Sequence, residues 1–120
     1  MIIVFKVIIA GTRSFQDYEL LQSYVDYMLS RTTDVIEIVS GGAKGADALG
    51  ERYAKEHGYR LKIFPANWEQ YGKAAGYRRN AEMAAYADAL IAFWDGKSRG
   101  TMHMINLAKQ RKLKVAVKIF

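Results

Sequence analysis

Five short apolar runs alternate along this chain of 120 residues with four segments of helical periodicity. The apolar runs predict strands at residues 2–9, 35–39, 60–64, 89–94 and 114–119. The periodic segments predict helices at about 17–31, 46–57, 77–86 and 101–111. Because strands that alternate with helices form a parallel sheet with helices on both faces, the sequence predicts an α/β fold with three layers, α/β/α. At this length, we expect one domain that spans residues 1–120.

The apolar content of the strands predicts their order in the sheet. Strands one, two and four are the most apolar, as central parallel strands are. Strands three and five alternate with charged residues, such as Arg60, Lys62, Lys114 and Lys118, and fit the edges. The simplest doubly wound order that meets both conditions is 3-2-1-4-5. Its switch point lies between strands one and four, and ligands of such sheets bind at the carboxyl ends of the strands beside it.

The loop after strand two has the composition of an anion-binding turn. Residues 40–47, SGGAKGAD, lie between an apolar run and helix-forming sequence. Backbone N–H groups left bare by glycines at a positive helix N-terminus favour phosphate. The segment has neither the Gly-Lys-Ser/Thr ending of a P-loop nor the order of a dinucleotide fingerprint. A tight turn without a ligand is the alternative, and we favour ligand binding. The candidate ligand-binding residues are Ser40, Gly41, Gly42, Lys44, Gly45 and Asp47.

The loops after strands one and four supply the other walls of the predicted site. Arg13 offers a planar fork for phosphate just past strand one. Residues 95–101, DGKSRGT, combine glycines, cations and hydroxyls before a helix and predict a second anion cradle, with a solvated loop capped by Thr101 as the alternative. The candidate residues of these two loops are Gly11, Thr12, Arg13, Asp95, Ser98, Gly100 and Thr101.

Several candidates have two interpretations. Asp47 either bonds a ribose hydroxyl or stabilises its helix N-terminus. Arg79 and Asn80 are predicted in the first turn of helix three, where an arginine opposes the helix dipole and an anionic partner would offset that cost. Trp68 and Tyr71 either stack on a base or cover the core, and for Trp68 we favour the core.

Composition narrows the class of protein. Without cysteine, the chain has no disulfides, thiolate zinc sites or cysteine nucleophiles, and the histidine spacing indicates no metal site. We identify no cofactor motif. No segment approaches the ~20 apolar residues of a membrane span, so we predict a cytoplasmic protein without a membrane partner. The net charge of +6 permits nucleic-acid binding without requiring it.

Five motifs resemble one family in the order expected along the chain. They are GTRxF at residues 11–15, SGGAxGAD at 40–47, PxxWxxYGKxAG at 65–76, RNxxM at 79–83 and the stretch 88–101. Together they are similar to the YspA/YpsA-related branch of the SLOG superfamily. The resemblance implies a Rossmann-like fold, a nucleotide or nucleotide-derived ligand at the loops after strands one, two and four, and a homo-oligomer.

Two other branches of this superfamily define the alternatives. The lonely-guy phosphoribohydrolases carry a Pro-Gly-Gly-x-Gly-Thr-x-x-Glu motif, and residues 97–104 of this chain retain its Gly-Thr pair. Met104 stands at the position of the catalytic acid and cannot transfer a proton. DNA-processing protein A shares the glycine-rich stretch and the Arg-Asn pair, and it binds single-stranded DNA. We therefore rank binding or sensing of a nucleotide first, an N-glycosidase-type enzyme with unknown catalytic residues second, and single-stranded nucleic-acid binding third.

Overall fold

The computed structural model describes residues 2–120, which contain a five-stranded parallel sheet in the order β3-β2-β1-β4-β5. This confirms the predicted α/β architecture and strand order. Strand one begins and ends two residues later than the sequence predicted, and strand three ends one residue earlier. The strands are β1 (Val4–Gly11), β2 (Val35–Ser40), β3 (Arg60–Ile63), β4 (Ala89–Trp94) and β5 (Lys114–Ile119).

Five α-helices and a 3₁₀ turn, Gly72–Ala74, occur within residues 2–120. Residues 65–76 lie between the predicted third strand and third helix, and they hold α3, the 3₁₀ turn and the start of α4. None of the helices described in residues 2–120 is long and apolar enough to cross a membrane. The helices are α1 (Tyr18–Leu29), α2 (Ala46–His57), α3 (Trp68–Tyr71), α4 (Ala75–Tyr86) and α5 (Arg99–Gln110).

The two faces of the sheet bury separate apolar clusters. Alternate residues of β1 show why: Val7 and Ile9 pack with α1 and α2, whereas Ile8 packs with α4 and α5. Leu21 of α1 and Met104 of α5 are among the fully buried side chains of the two clusters. Since the central strands are covered on both faces, their ends are the part of the sheet left open to a ligand.

Helix ends follow the local signals of the sequence. Asp17 caps α1, and its side chain accepts a hydrogen bond from Leu20 N at 3.1 Å. Gly58 ends α2 in the left-handed conformation at φ 68°, which glycine adopts without a steric penalty. At α5 the cap is Ser98 rather than Thr101, because the Ser98 hydroxyl accepts from Thr101 N.

Candidate functional site

The loops after β1, β2 and β4 meet at the carboxyl edge of the sheet and enclose a cleft of about 240 Å³. The helical segment after β3 closes the cleft from the side. A second opening of about 530 Å³ adjoins it, and the two share Arg13, Ala43, Trp68 and Arg79. The first cleft is lined by Ala10, Gly11, Arg13, Ala43, Asp47, Trp68, Lys73, Gly76, Tyr77, Arg79, Asn80, Met83, Ser98, Gly100, Thr101 and Met104.

Glycine is required where the loop after β2 packs on the loop after β1. Gly45 has φ +78°, and a Cβ there would collide with the carbonyl oxygens of Thr12 and Arg13. Ala46 N donates to Thr12 O at 3.4 Å across the same contact. Two of the three loops are therefore fixed against each other by backbone contact.

The glycine-rich loop does not present all of its N–H groups to the cleft. Gly42 N donates to the Ser40 hydroxyl at 3.1 Å, and Ala43 N donates to Asp47 Oδ2 at 3.3 Å. The expectation of bare N–H groups was wrong at these two positions. The Asp47 carboxylate takes the place that an external anion was expected to fill.

Asp47 is a buried carboxyl group in the wall of the cleft. Its residue is 5% exposed, and burial raises its pKa to about 6. The Ala43 N–H group and the positive charge of Arg79 oppose that rise. At neutral pH the carboxylate is therefore ionised at an energetic cost, which is a common property of groups at functional sites.

Arg79 and Asn80 connect the loop after β2 to the loop after β4 by hydrogen bonds. Arg79 Nη1 donates to Gly41 O, and Arg79 Nε donates to Asn80 Oδ1 at 3.0 Å. Asn80 Nδ2 in turn donates to Gly100 O at 3.3 Å. Burial lowers the pKa of the Arg79 guanidinium. The helix-dipole argument for Arg79 was wrong, because α4 begins at Ala75 and places Arg79 in its second turn.

Side chains organise the loop after β4 internally. Asp95 Oδ1 accepts from Lys97 N and Ser98 N, both at 2.8 Å, and these bonds lower the pKa of Asp95. Asp95 N donates to the Thr12 hydroxyl at 3.2 Å, which connects this loop to the one after β1. Asp95 and Thr12 thus stand behind the cleft, whereas Ser98, Gly100 and Thr101 line it.

The remaining candidates divide between the two openings. Lys44, Gly42 and Gly41 line the larger one, and Arg13 lines both. Ser40 is fully buried and donates to Glu51 Oε2 at 2.7 Å. The Ser40 hydroxyl therefore stabilises the loop through its hydrogen bonds with Gly42 N and Glu51, and it does not face the cleft.

Sequence reasoning missed Glu51 and misjudged Trp68. Glu51 lines the larger opening, and the available signal was its spacing of four residues from Asp47 on the same helix. Trp68 was expected to cover the core, but it is 52% exposed and lines both openings. The cause is α3, a single helical turn that holds the indole at the rim.

The chemistry available at the site is that of charged and aromatic side chains. Within residues 2–120, no group of three or more His, Asp or Glu side chains is arranged to hold a metal ion. Met104, 1% exposed, is part of the cleft wall.

Comparisons with known proteins show the family and the fold of this chain. Residues 5–71 match the model of the YspA, cpYpsA-related SLOG family. The Gene 61 protein of Mycobacterium phage D29 is 34% identical over 116 residues, which cover 92% of this chain and 93% of the relative. Among solved structures, DNA processing protein A (DprA) from Streptococcus pneumoniae has the same fold, with a TM-score of 0.75 at 18% identity. The match covers 95% of this chain and half of that structure.

Proposed function

The chain belongs to the YspA, cpYpsA-related SLOG family, and we propose that it binds a nucleotide or a nucleotide-derived ligand in the cleft at the carboxyl ends of β1, β2 and β4. The observation that carries the proposal is the convergence of three loops on one cleft lined by both cations and aromatic rings. Arg13, Lys73 and Arg79 supply the cations, and Trp68 and Tyr77 supply the rings. A phosphate and a base require these two kinds of partner.

The proposed ligand lies with its phosphate toward the N-terminus of α5. Thr101 N already donates to the Ser98 hydroxyl, so the N–H groups of Arg99 and Gly100 are the ones that can donate to a phosphate. A Cβ at Gly100 would meet open space, so no side chain crowds the approach to them. Arg13 is exposed at the mouth of the cleft and can reach the same group. Asp47 lies on the opposite wall, where an ionised carboxylate accepts hydrogen bonds from ribose hydroxyls.

Ligand-induced stabilisation tests the proposal. A nucleotide at ~100 times its Kd stabilises the folded state by about 2.7 kcal/mol. For a chain of this length we expect a melting temperature higher by roughly 10 °C. The panel contains nucleoside monophosphates, NAD and ADP-ribose derivatives. Unchanged melting across the whole panel would contradict the proposal.

Two matched pairs of variants distinguish binding in the cleft from general effects of losing a cation or an aromatic ring. Arg13→Ala removes a cation from the cleft, and Arg31→Ala removes an exposed cation at the other edge of the sheet. Trp68→Ala and Tyr27→Ala make the same comparison for exposed aromatic rings. We expect Arg13→Ala and Trp68→Ala each to weaken nucleotide binding at least tenfold. Equal effects within either pair would place the ligand elsewhere.

Single-stranded nucleic-acid binding is a second candidate, favoured by the aromatic rim. Trp68, Tyr71 and Tyr77 are all exposed beside the cleft, and the Arg78 guanidinium lies 4.0 Å from the centre of the Tyr71 ring. Exposed rings with cations are typical of surfaces on which successive bases stack. This candidate predicts a log–log salt slope of about −0.7 per phosphate contacted. Affinity for oligonucleotides that does not change with salt would exclude it.

Cleavage of an N-glycosidic bond is a third candidate, and Asp47 favours it. A carboxyl group with a pKa of about 6 in a cleft is suited to proton transfer near neutral pH. Product formation from nucleoside monophosphates or NAD, abolished by Asp47→Asn, would support cleavage. Intact substrate after prolonged incubation at high protein concentration would leave binding as the function.

A further inference from the structure

His103 contacts the candidate site through two residues that line it. Asn80 Nδ2 and His103 Nδ1 are 3.2 Å apart, and the Tyr77 and His103 rings lie 4.3 Å from centre to centre. Asn80 and Tyr77 belong to α4 and line the smaller cleft, whereas His103 belongs to α5. A change in His103 is therefore transmitted to the cleft by direct contact.

The hydrogen bonds of Asn80 determine which ring nitrogen of His103 carries a proton. Arg79 Nε can only donate, so the amide atom 3.0 Å from it is the oxygen of Asn80. The amide nitrogen then faces Gly100 O at 3.3 Å and His103 Nδ1 at 3.2 Å, with one hydrogen for each. Nδ1 accepts this hydrogen only while it is unprotonated, so the ring proton is on Nε2.

The surroundings of the ring favour its neutral form. On α4, Tyr77 touches the ring, and the Arg79 guanidinium lies behind Asn80. On α5, Arg99 precedes His103 by one helical turn, and Lys73 of the 3₁₀ turn lines the same cleft as Tyr77. Burial lowers the pKa of the imidazole, which disfavours a second proton on the ring.

We propose that His103 is a positioning residue of the cleft, whose unprotonated Nδ1 holds Asn80 in the orientation that joins the loop after β2 to the N-terminus of α5. A proton on Nδ1 would set one N–H group against another. Turning the Asn80 amide to relieve that conflict would point its NH₂ group at Arg79 Nε, which also donates. One protonation thus disrupts the connection between the two loops, so the cleft responds to pH.

The effect on a ligand rests on the proposed function, but the hydrogen bond does not, so the first test uses the ligand-free protein. The chain has two histidines, and His57 is an internal control. Its Nδ1 lies 2.9 Å from Tyr53 O, which only accepts, so Nδ1 of His57 carries a proton. Ring-nitrogen NMR near neutral pH should show Nδ1 protonated in His57 and unprotonated in His103. A proton on Nδ1 of His103 would overturn the proposal.

Two variants separate the acceptor from the bulk of the ring. His103→Asn keeps an acceptor close to the place of Nδ1 and does not titrate, whereas His103→Leu keeps bulk without an acceptor. We expect faster amide hydrogen exchange around Gly41 and Gly100 in His103→Leu near neutral pH, with His103→Asn like the wild type. At a pH low enough to protonate His103, the wild type should exchange faster than His103→Asn. Equal exchange in all three proteins at both pH values would refute the positioning role.

Adenosine monophosphate is the probe for the effect on binding. Near neutral pH, His103→Leu should bind it about fivefold more weakly than His103→Asn, the amount expected for one hydrogen bond. When the pH is lowered, the wild type should lose about fivefold more affinity than His103→Asn. Asp47 titrates in both proteins, so its effect cancels in the comparison between them. Identical pH profiles would contradict the coupling. If the wild type does not bind this nucleotide, that part of the proposed function fails, and NMR and exchange still decide the role of His103.

Discussion

Replacing Asp47 with asparagine should stabilise the folded protein at neutral pH, although it removes a charged partner of Arg79. The reason is the energetic cost of a charge in a residue that is 5% exposed. Asparagine resembles the protonated acid in shape, and its oxygen can accept the hydrogen bond from Ala43 N. It cannot replace an ionised carboxylate as an acceptor for two ribose hydroxyls, so the gain in stability should come with a loss of affinity.

The magnitude follows from the two pKa values. The unfolded carboxyl group ionises at 3.8, whereas the pKa of folded Asp47 is about 6. Between these pH values the folded state binds more protons, so the free energy of unfolding decreases as the pH rises. The decrease amounts to about 3 kcal/mol and persists above pH 6. The pKa of about 6 already includes the attraction to Arg79, so this amount is a net cost, and we expect Asp47→Asn to gain about 3 kcal/mol, or roughly 10 °C.

Urea unfolding of both proteins at a series of pH values measures the effect. The two stability curves should coincide below about pH 4, diverge between about pH 4 and pH 6, and stay apart by a constant amount above that. Asp95→Asn is the matched control with the opposite sign, because hydrogen bonds lower the pKa of Asp95 and the ionised form is the stabilising one. A stability difference for Asp47→Asn that is independent of pH, or a loss at neutral pH, would refute the burial argument.

Two further predictions concern the framework of the site. Gly45→Ala should destabilise the protein by at least about 2 kcal/mol more than Gly58→Ala in thermal unfolding, since both glycines have positive φ but only a Cβ at position 45 meets backbone atoms. Equal losses would show that the collision is relieved by a small shift. Tyr53→Phe should lower the free energy of unfolding by about 1 kcal/mol, because it removes the 2.5 Å hydrogen bond from Tyr53 OH to Asp26 Oδ1 that joins α2 to α1. An unchanged urea midpoint would contradict that assignment.

The strand order was predictable because burial leaves a direct trace in composition. A strand between two layers must be apolar on both sides, as residues 89–94 are, whereas an edge strand tolerates Lys114 or Arg60. The order then fixes which loops share an edge of the sheet. For this reason the sequence indicated the cleft, with Arg13, Asp47 and Gly100 in its walls.

The internal hydrogen bonds of the loops were not predictable in the same way. The sequence marks glycines and caps, but it does not show that Asp47 turns back to Ala43 N or that Ser40 binds Glu51. Those contacts depend on how closely α2 packs against the sheet, which is a property of the tertiary structure. The position of Trp68 depends in the same way on α3, whose four residues are too few to show a helical period.

These unpredicted contacts change the interpretation of the glycine-rich loop as an anion-binding turn. Because Asp47 and Ser40 already accept from N–H groups of the loop, we expect a phosphate to bind at α5 and Arg13 rather than at residues 41–43. Glycine at position 45 then allows the close packing of the two loops, and the carboxylate of Asp47 lines the cleft. We therefore expect the proposed site to discriminate against ligands that place an anion beside Asp47 and to favour those that place hydroxyl groups there. If so, a nucleoside monophosphate should bind more tightly than its 2′,3′-dideoxy analogue in the wild type, and the difference should shrink in Asp47→Asn.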